Sequence, residues 1–154
     1  PNVIMIGEMR DTETIALALT AAETGHLVLS SLHTNSASQT VDRIIDVFPA
    51  DQQNQIRSQL ANTLSGIISQ RLIPKISGGR IPATEIMFSN NAVSNLIRED
   101  KAHQIDLVIE TSLENGMISL SRSLAELVRR GEVAPETAMA YALNPIEFQT
   151  MISQ

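Results

Sequence analysis

Apolar positions open the chain in two short runs, Val-Ile-Met-Ile at 3–6 and Leu-Val-Leu at 27–29, each closed by polar residues. Runs of this length suit strands buried on both faces, as in a parallel sheet. Between them the period changes. Asp11 is placed to cap a helix, Ile15, Ala18, Leu19 and Ala22 recur at helical spacing, and Gly25 stands where such a helix ends. The order strand, helix, strand predicts a parallel pair joined by a right-handed crossover.

Ser36 opens a second predicted helix with Val41, Ile44, Ile45 and Phe48 on one face, and Pro49 ends it. Asp51 is placed to cap a third, in which Ile56, Leu60, Leu64, Ile67 and Ile68 recur at helical spacing. The pattern then changes again. Residues 71–76 and 80–88 flank Gly78-Gly79 and predict a β-hairpin, with Pro74 and Pro82 marking edge or irregular strands. Beyond it, helices are predicted over 92–99, 102–111, 119–130 and 135–142, with a final turn after Pro145. An α/β part at 1–88 and a helical part at 89–154 follow from this pattern.

Composition narrows the function classes. With no Trp, one Tyr and three Phe in 154 residues, the core must be aliphatic. A formal net charge of −6 argues against broad electrostatic binding to nucleic acid or anionic lipid. The lack of Cys excludes disulfides and thiolate metal sites, and no apolar stretch reaches the length of a membrane span. The chain begins at Pro1 and enters a core-type strand at once, which is expected of a piece of a longer protein lacking its N-terminal part.

Glu8 lies where the first strand leaves the sheet, with Arg10 and Asp11 just behind it, and His33, Thr34 and Asn35 follow the second strand. Ligands of open α/β folds bind outside the carboxyl ends of the strands. An acid there can hold magnesium through water or orient a nucleophilic water beside a phosphate. His33, Thr34 and Asn35 could sense a terminal phosphate by hydrogen bond. A structural reading stands beside each of these. Glu8 and Asp11 would complement the N-terminus of the following helix, Arg10 would be a surface ion-pair partner, and His26 would sit at a helix C-terminus, where the macrodipole favours it. No Gly-x₄-Gly-Lys-Ser/Thr phosphate loop occurs in the 154 residues, so the chain by itself is not expected to hydrolyse ATP efficiently. Zinc-ligand spacing and a Gly-x-Ser-x-Gly nucleophile elbow are also absent.

Longer segments carry a resemblance. Gly7-Glu8-Met9-Arg10-Asp11 after an apolar strand resembles the Walker B segment of the secretion ATPase superfamily. The segment from Thr24-Gly25-His26-Leu27-Val28 through Leu32-His33-Thr34 resembles that family's His box. The run from Val41 to Pro49, Ile68-Ser69-Gln70-Arg71-Leu72, and Glu85-Ile86-Met87 are further family-like stretches. Ala92-Val93-Ser94-Asn95-Leu96-Ile97-Arg98-Glu99 is similar to the motif Ala-Ile-Arg-Asn-Leu-Ile-Arg-Glu of the branch that retracts type IV pili, with Val93 for Ile and Ser94 for Arg.

The resemblance implies the C-terminal part of a RecA-like P-loop NTPase core, plus a β-hairpin and a C-terminal helical subdomain carrying the retraction-type motif. It implies an ATP- and Mg²⁺-dependent, homo-hexameric motor for pilus retraction and twitching motility. Such a motor would be cytoplasmic, peripheral at the inner membrane, and would work with a platform protein and the pilus machinery. Glu8 would be the Walker B acid, assisting metal and water. His33 and His26 would link nucleotide state to domain position, and Arg10 would lie near the phosphates. Ala92, Asn95, Leu96, Ile97, Arg98 and Glu99 would transmit motion. From spacing alone, 92–99 also reads as a packed amphipathic helix with Val93, Leu96 and Ile97 inward. A non-enzymatic assembly module, and a pilus-extension or type II secretion motor of the same superfamily, are the alternatives.

Overall fold

A computed structural model describes residues 1–153. The chain opens with strand β1 (Val3–Ile6), helix α1 (Thr12–Glu23) and strand β2 (Leu27–Ser30). Asp11 caps α1 from an extended backbone. Its Oδ1 accepts the Thr14 N–H at 2.8 Å and its Oδ2 the Thr14 hydroxyl at 3.0 Å. The helix closes at Gly25, whose φ of 96° lets the Gly25 and His26 N–H groups turn back onto the Ala22 and Ala21 carbonyls. β1 and β2 pair in parallel, with Val3 opposite Leu27 and Ile6 opposite Ser30. The predicted crossover unit is therefore present.

Among the described residues, one face of this pair is covered and the other is not. Val3, Met5, Leu27 and Leu29 share one face and are 48–67% exposed. Strand side chains alternate between faces. Ile4, Ile6 and Val28 on the other face are half-buried, and α1, which packs on β2, buries Ile15, Ala18 and Leu19. Among the described residues, the first face carries no comparable layer.

The chain divides into two compact units. The first comprises Pro1–Ile67 and Phe88–Val108. It holds the β1–β2 pair and helices α2 (Ala37–Asp46), α3 (Ala50–Thr63) and α4 (Asn91–Arg98). Ser36 caps α2 by accepting the Gln39 N–H at 3.2 Å, and Val41, Ile44, Ile45 and Phe48 are buried as their spacing predicts. α3 packs against α1, α2 and α4. Asn90 caps α4 through the Val93 N–H at 2.9 Å. At its other end Asp100, at φ 59°, occupies the left-handed position usually taken by Gly, and its carboxylate receives the buried Arg57 at 2.8 Å.

Two boundaries differ from the sequence reading. α3 ends at Thr63, and Ile67 and Ile68 belong to strand β3 (Gly66–Pro74) instead. β-branched residues after Gly66 favour extended chain, and pairing with strand β4 (Arg80–Phe88) overrides a period that fitted a helix equally well. Asp51 is not the cap of α3. Pro49 holds that position without a side-chain bond, and Asp51 lies in the first turn, where an acid complements the dipole.

The second unit comprises Ile68–Met87 and the chain from Ile109 onward. It contains most of the predicted β3–β4 hairpin and helices α6 (Leu120–Arg129), α7 (Pro135–Tyr141) and α8 (Pro145–Ile152). Helix α5 (Ile105–Thr111) crosses the division between the units and is preceded by a 3₁₀ turn at Ala102–Gln104. The core of the second unit is mainly aliphatic: Ile73, Ala83, Leu120, Leu124, Val133 and Ala138 cluster with Phe148. The segment after Pro145 is a full helix rather than a turn. Pro145 sits at its first position, Asn144 caps it through the Glu147 N–H, and Phe148 is wholly buried.

Candidate functional site

The parallel pair gives the sheet two polar edges. At the carboxyl edge, β1 releases Gly7-Glu8-Met9-Arg10 and β2 releases Ser31-Leu32-His33. Glu8, Arg10 and His33 converge there. Glu8 Oε1 lies 3.1 Å from His33 Nε2, and Glu8 Oε2 lies 2.6 Å from an Arg10 guanidinium nitrogen. Both carboxylate oxygens thus face nitrogen donors. The hydrogen bond from Arg10 is the main cause that holds the Glu8 carboxyl below the usual carboxylate range. Partial burial opposes it, and the charges of Arg10 and His33 add to it. The same bond raises the guanidinium's own affinity for its proton.

Backbone bonds continue past the last paired residues. The Ser31 hydroxyl donates to the Gly7 carbonyl at 2.5 Å, and the Ser31 carbonyl accepts the Met9 N–H at 3.2 Å. Ser31 lies inside the segment that resembles the His box, but no feature of the local sequence singles it out. Thr34 and Asn35 turn towards α2 instead. The Thr34 hydroxyl lies 2.7 Å from that of Thr40, and the Asn35 N–H reaches Gln39 Oε1 at 3.3 Å.

His26 is not brought to Glu8. It precedes Leu27, which pairs with Val3 at the opposite edge of the sheet. The separation is a strand length, on the order of 10–15 Å. Its Nδ1 lies 3.0 Å from the Ala21 carbonyl and 3.2 Å from the Thr24 hydroxyl, so the ring closes the C-terminus of α1.

On α4, Val93 and Ile97 are buried and Leu96 is half-buried, as the amphipathic reading expected, while Ala92, Asn95, Arg98 and Glu99 are exposed. Ser94, at the position where the motif has Arg, donates its hydroxyl to the Ala61 carbonyl at 2.9 Å in the last turn of α3. Arg98 donates to Asn62 Oδ1 at 2.6 Å and to Asn95 at 3.2 Å. Glu99 accepts from Lys101 at 2.7 Å, and this bond holds its carboxyl below the usual range.

Among the described residues, no group of three or more His, Asp or Glu side chains could enclose a metal ion. A single rim carboxylate still fits magnesium, which takes one or two carboxylates and completes its shell with water and substrate phosphates. The edge therefore offers one acid, one imidazole and one guanidinium, and no backbone cradle for phosphates.

The Type II/IV secretion system protein family matches residues 1–103. The chain is 53% identical over 145 residues to a twitching motility protein of Neisseria gonorrhoeae, covering 94% of this chain and 39% of that one. It is 51% identical over 148 residues to the type IV pilus retractation ATPase PilT of Pseudomonas aeruginosa, covering 96% of this chain and 43% of that one. A crystal structure of the pilus retraction motor PilT with bound ADP superposes with a TM-score of 0.85 at 47% identity, over 97% of this chain and 42% of that one. The α/β architecture is thus that of a solved ATPase. The chain spans about two fifths of the length of the relatives it matches.

Proposed function

The chain belongs to the Type II/IV secretion system protein family, and from that premise we propose that it is the part of a type IV pilus retraction ATPase that presents an acid and an imidazole to the terminal phosphate of ATP. The observation that supports this reading is the meeting of Glu8 and His33 at 3.1 Å on the carboxyl edge of adjacent parallel strands.

The roles follow from the geometry. Glu8 accepts hydrogen bonds through both carboxylate oxygens, and its lowered pKa keeps it ionised near neutrality. It is therefore an acceptor for the attacking water. His33 lies beside one carboxylate oxygen and would meet charge developing on the phosphate. Arg10, largely exposed, holds the other oxygen and is free to exchange that carboxylate for phosphate. Magnesium bound with the nucleotide would neutralise phosphate charge, and Glu8 is the residue that would hold it through water. Residues 1–154 contain no phosphate loop, so the β- and γ-phosphates would be cradled by residues outside them.

His26 takes a structural part in this reading, at the end of α1. The exposed residues of α4 (Ala92, Asn95, Arg98 and Glu99) would face the pilus machinery or a neighbouring subunit, with Leu96 and Ile97 anchoring the helix. The assembled motor would be a homo-hexamer at the cytoplasmic side of the inner membrane, against a platform protein. No described helix is long and apolar enough to cross a membrane.

The test is ATP turnover by the intact protein that carries this chain. Glu8→Ala should lower kcat on the order of 10²–10⁴-fold, because it removes the group that positions water. Nucleotide affinity should persist, because the cradle is elsewhere. Unchanged turnover would defeat the reading.

A further inference from the structure

We propose that Ser31 is a positioning residue of this site: it clamps the backbone on both sides of Glu8 and so sets where the carboxylate sits relative to His33. The proposal rests on the reading of Glu8 and His33 as the acid and imidazole of ATP turnover.

The strand ladder ends at Ile6 opposite Ser30, and Glu8 is two residues past it. Gly7 lies between. Its φ is not in the left-handed region, and a Cβ built on it would meet nothing within 4 Å. Neither strain nor packing therefore holds the chain at Gly7, and glycine is the residue with the most backbone freedom to lose. A carboxylate carried on such a link would wander unless something else restrained it.

Ser31 supplies that restraint twice. Its hydroxyl takes the Gly7 carbonyl at 2.5 Å, and its carbonyl takes the Met9 N–H at 3.2 Å. One residue thus fixes the peptide groups immediately before and after Glu8. Ser31 also lies two positions before His33 on its own strand exit, so the same residue references the acid to the imidazole. The second bond is made by backbone and survives any substitution. The first is made by the hydroxyl alone and can be removed by mutation. Ser31 touches neither Glu8's carboxylate nor His33's ring, so it acts through the backbone. Its side chain is exposed, which leaves space for a methyl group beside the hydroxyl.

A misplacement of about 1 Å at a reacting group costs up to on the order of 10²-fold in rate. With one of two tethers kept, Ser31→Ala in the intact protein should lower kcat about tenfold. KM and nucleotide affinity should stay within about twofold, because the phosphate cradle lies elsewhere. Ser31→Thr keeps the hydroxyl and should restore kcat to within about threefold of the parent. Hydrogen exchange followed by mass spectrometry gives a readout independent of activity. The peptide covering residues 7–11 should exchange faster in Ser31→Ala and not in Ser31→Thr.

Glu8→Ala, run alongside, separates the two levels of argument. If Glu8→Ala is inactive while Ser31→Ala turns over normally, the clamp is refuted and the site stands. If Ser31→Ala loses nucleotide affinity in step with kcat, or Ser31→Thr is as slow as Ser31→Ala, the role is general folding and the clamp is again refuted. Normal turnover by Glu8→Ala removes the site and the clamp together.

Discussion

The two histidines that bracket β2 have opposite fates, and the contrast separates support from chemistry in this chain. His26 enters the strand at the edge where α1 ends. The carbonyls at the end of α1 lack intrahelical partners there, and the His26 ring, 3.0 Å from the Ala21 carbonyl, joins the His26 N–H and the Thr24 hydroxyl around that oxygen. His33 leaves the strand at the other edge, where β1 also ends. Its partner is a side chain, Glu8, carried on a different strand. A ring bonded to a helix end stabilises that end. A largely exposed ring bonded to a half-buried, ionised carboxylate that already holds an exposed guanidinium belongs to a group able to exchange partners with a ligand.

Substitutions can break or sharpen this contrast. The largest effect is expected from Glu8→Ala, which should silence turnover while His26→Ala leaves it within about twofold. Next is His33→Ala. Removing the group that orients a working carboxylate costs about 10–100-fold in kcat. A double-mutant cycle measured on kcat then tests the pairing itself. Glu8 and His33 should be strongly non-additive, and His26 should be additive with either. Non-additivity between Glu8 and His26 would erase the distinction between the edges.

A smaller effect lies on stability. His26→Ala should lower the free energy of unfolding by about 0.5 kcal/mol, through the lost ring contacts with Ala21 and Thr24, while the His26 N–H still serves the Ala21 carbonyl, as measured by urea denaturation. His33→Ala should leave it nearly unchanged, because its ring is largely exposed. The smallest effect concerns pH. Glu8 has a folded-state pKa below its unfolded one, so its contribution is present above the ordinary carboxylate range and is lost as pH falls through the lowered value. Thermal scans between about pH 5 and pH 3 should show a slightly shallower fall in Tm for Glu8→Gln than for the parent, and no change of slope for His26→Ala.

The fold was readable from the chain wherever a signal is local. Asp11, Ser36 and Gly25 mark helix ends through bonds that span only a few residues, and each acts where its position predicted. Ile67 and Ile68 fit a helix on spacing alone, because a short apolar run satisfies both a helical and an extended period. The choice was made by β4, which lies beyond Gly78-Gly79.

The candidate site divides in the same way. Glu8 and His33 were identified by strand ends and by family-like segments, and their meeting was expected on one condition, that the two strands run parallel in register. Ser31 went unnoticed because its partners, Gly7 and Met9, lie far from it in sequence, and its hydroxyl bond to Gly7 spans 24 residues. Ser94 differs from the motif in residue type, and only the packing of α4 on α3 reveals that its hydroxyl serves the Ala61 carbonyl.

By itself the sequence determined the helices capped by Asp11 and Ser36, the crossover order of the first three elements, the aliphatic character of the core and the chemical groups available at the strand ends. These depend on bonds and periodicities contained within a few residues. The tertiary structure decided which edge each histidine occupies and which backbone groups flanking Glu8 meet Ser31. Those outcomes depend on strand register and layer packing, where residues distant in the chain compete for the same partners.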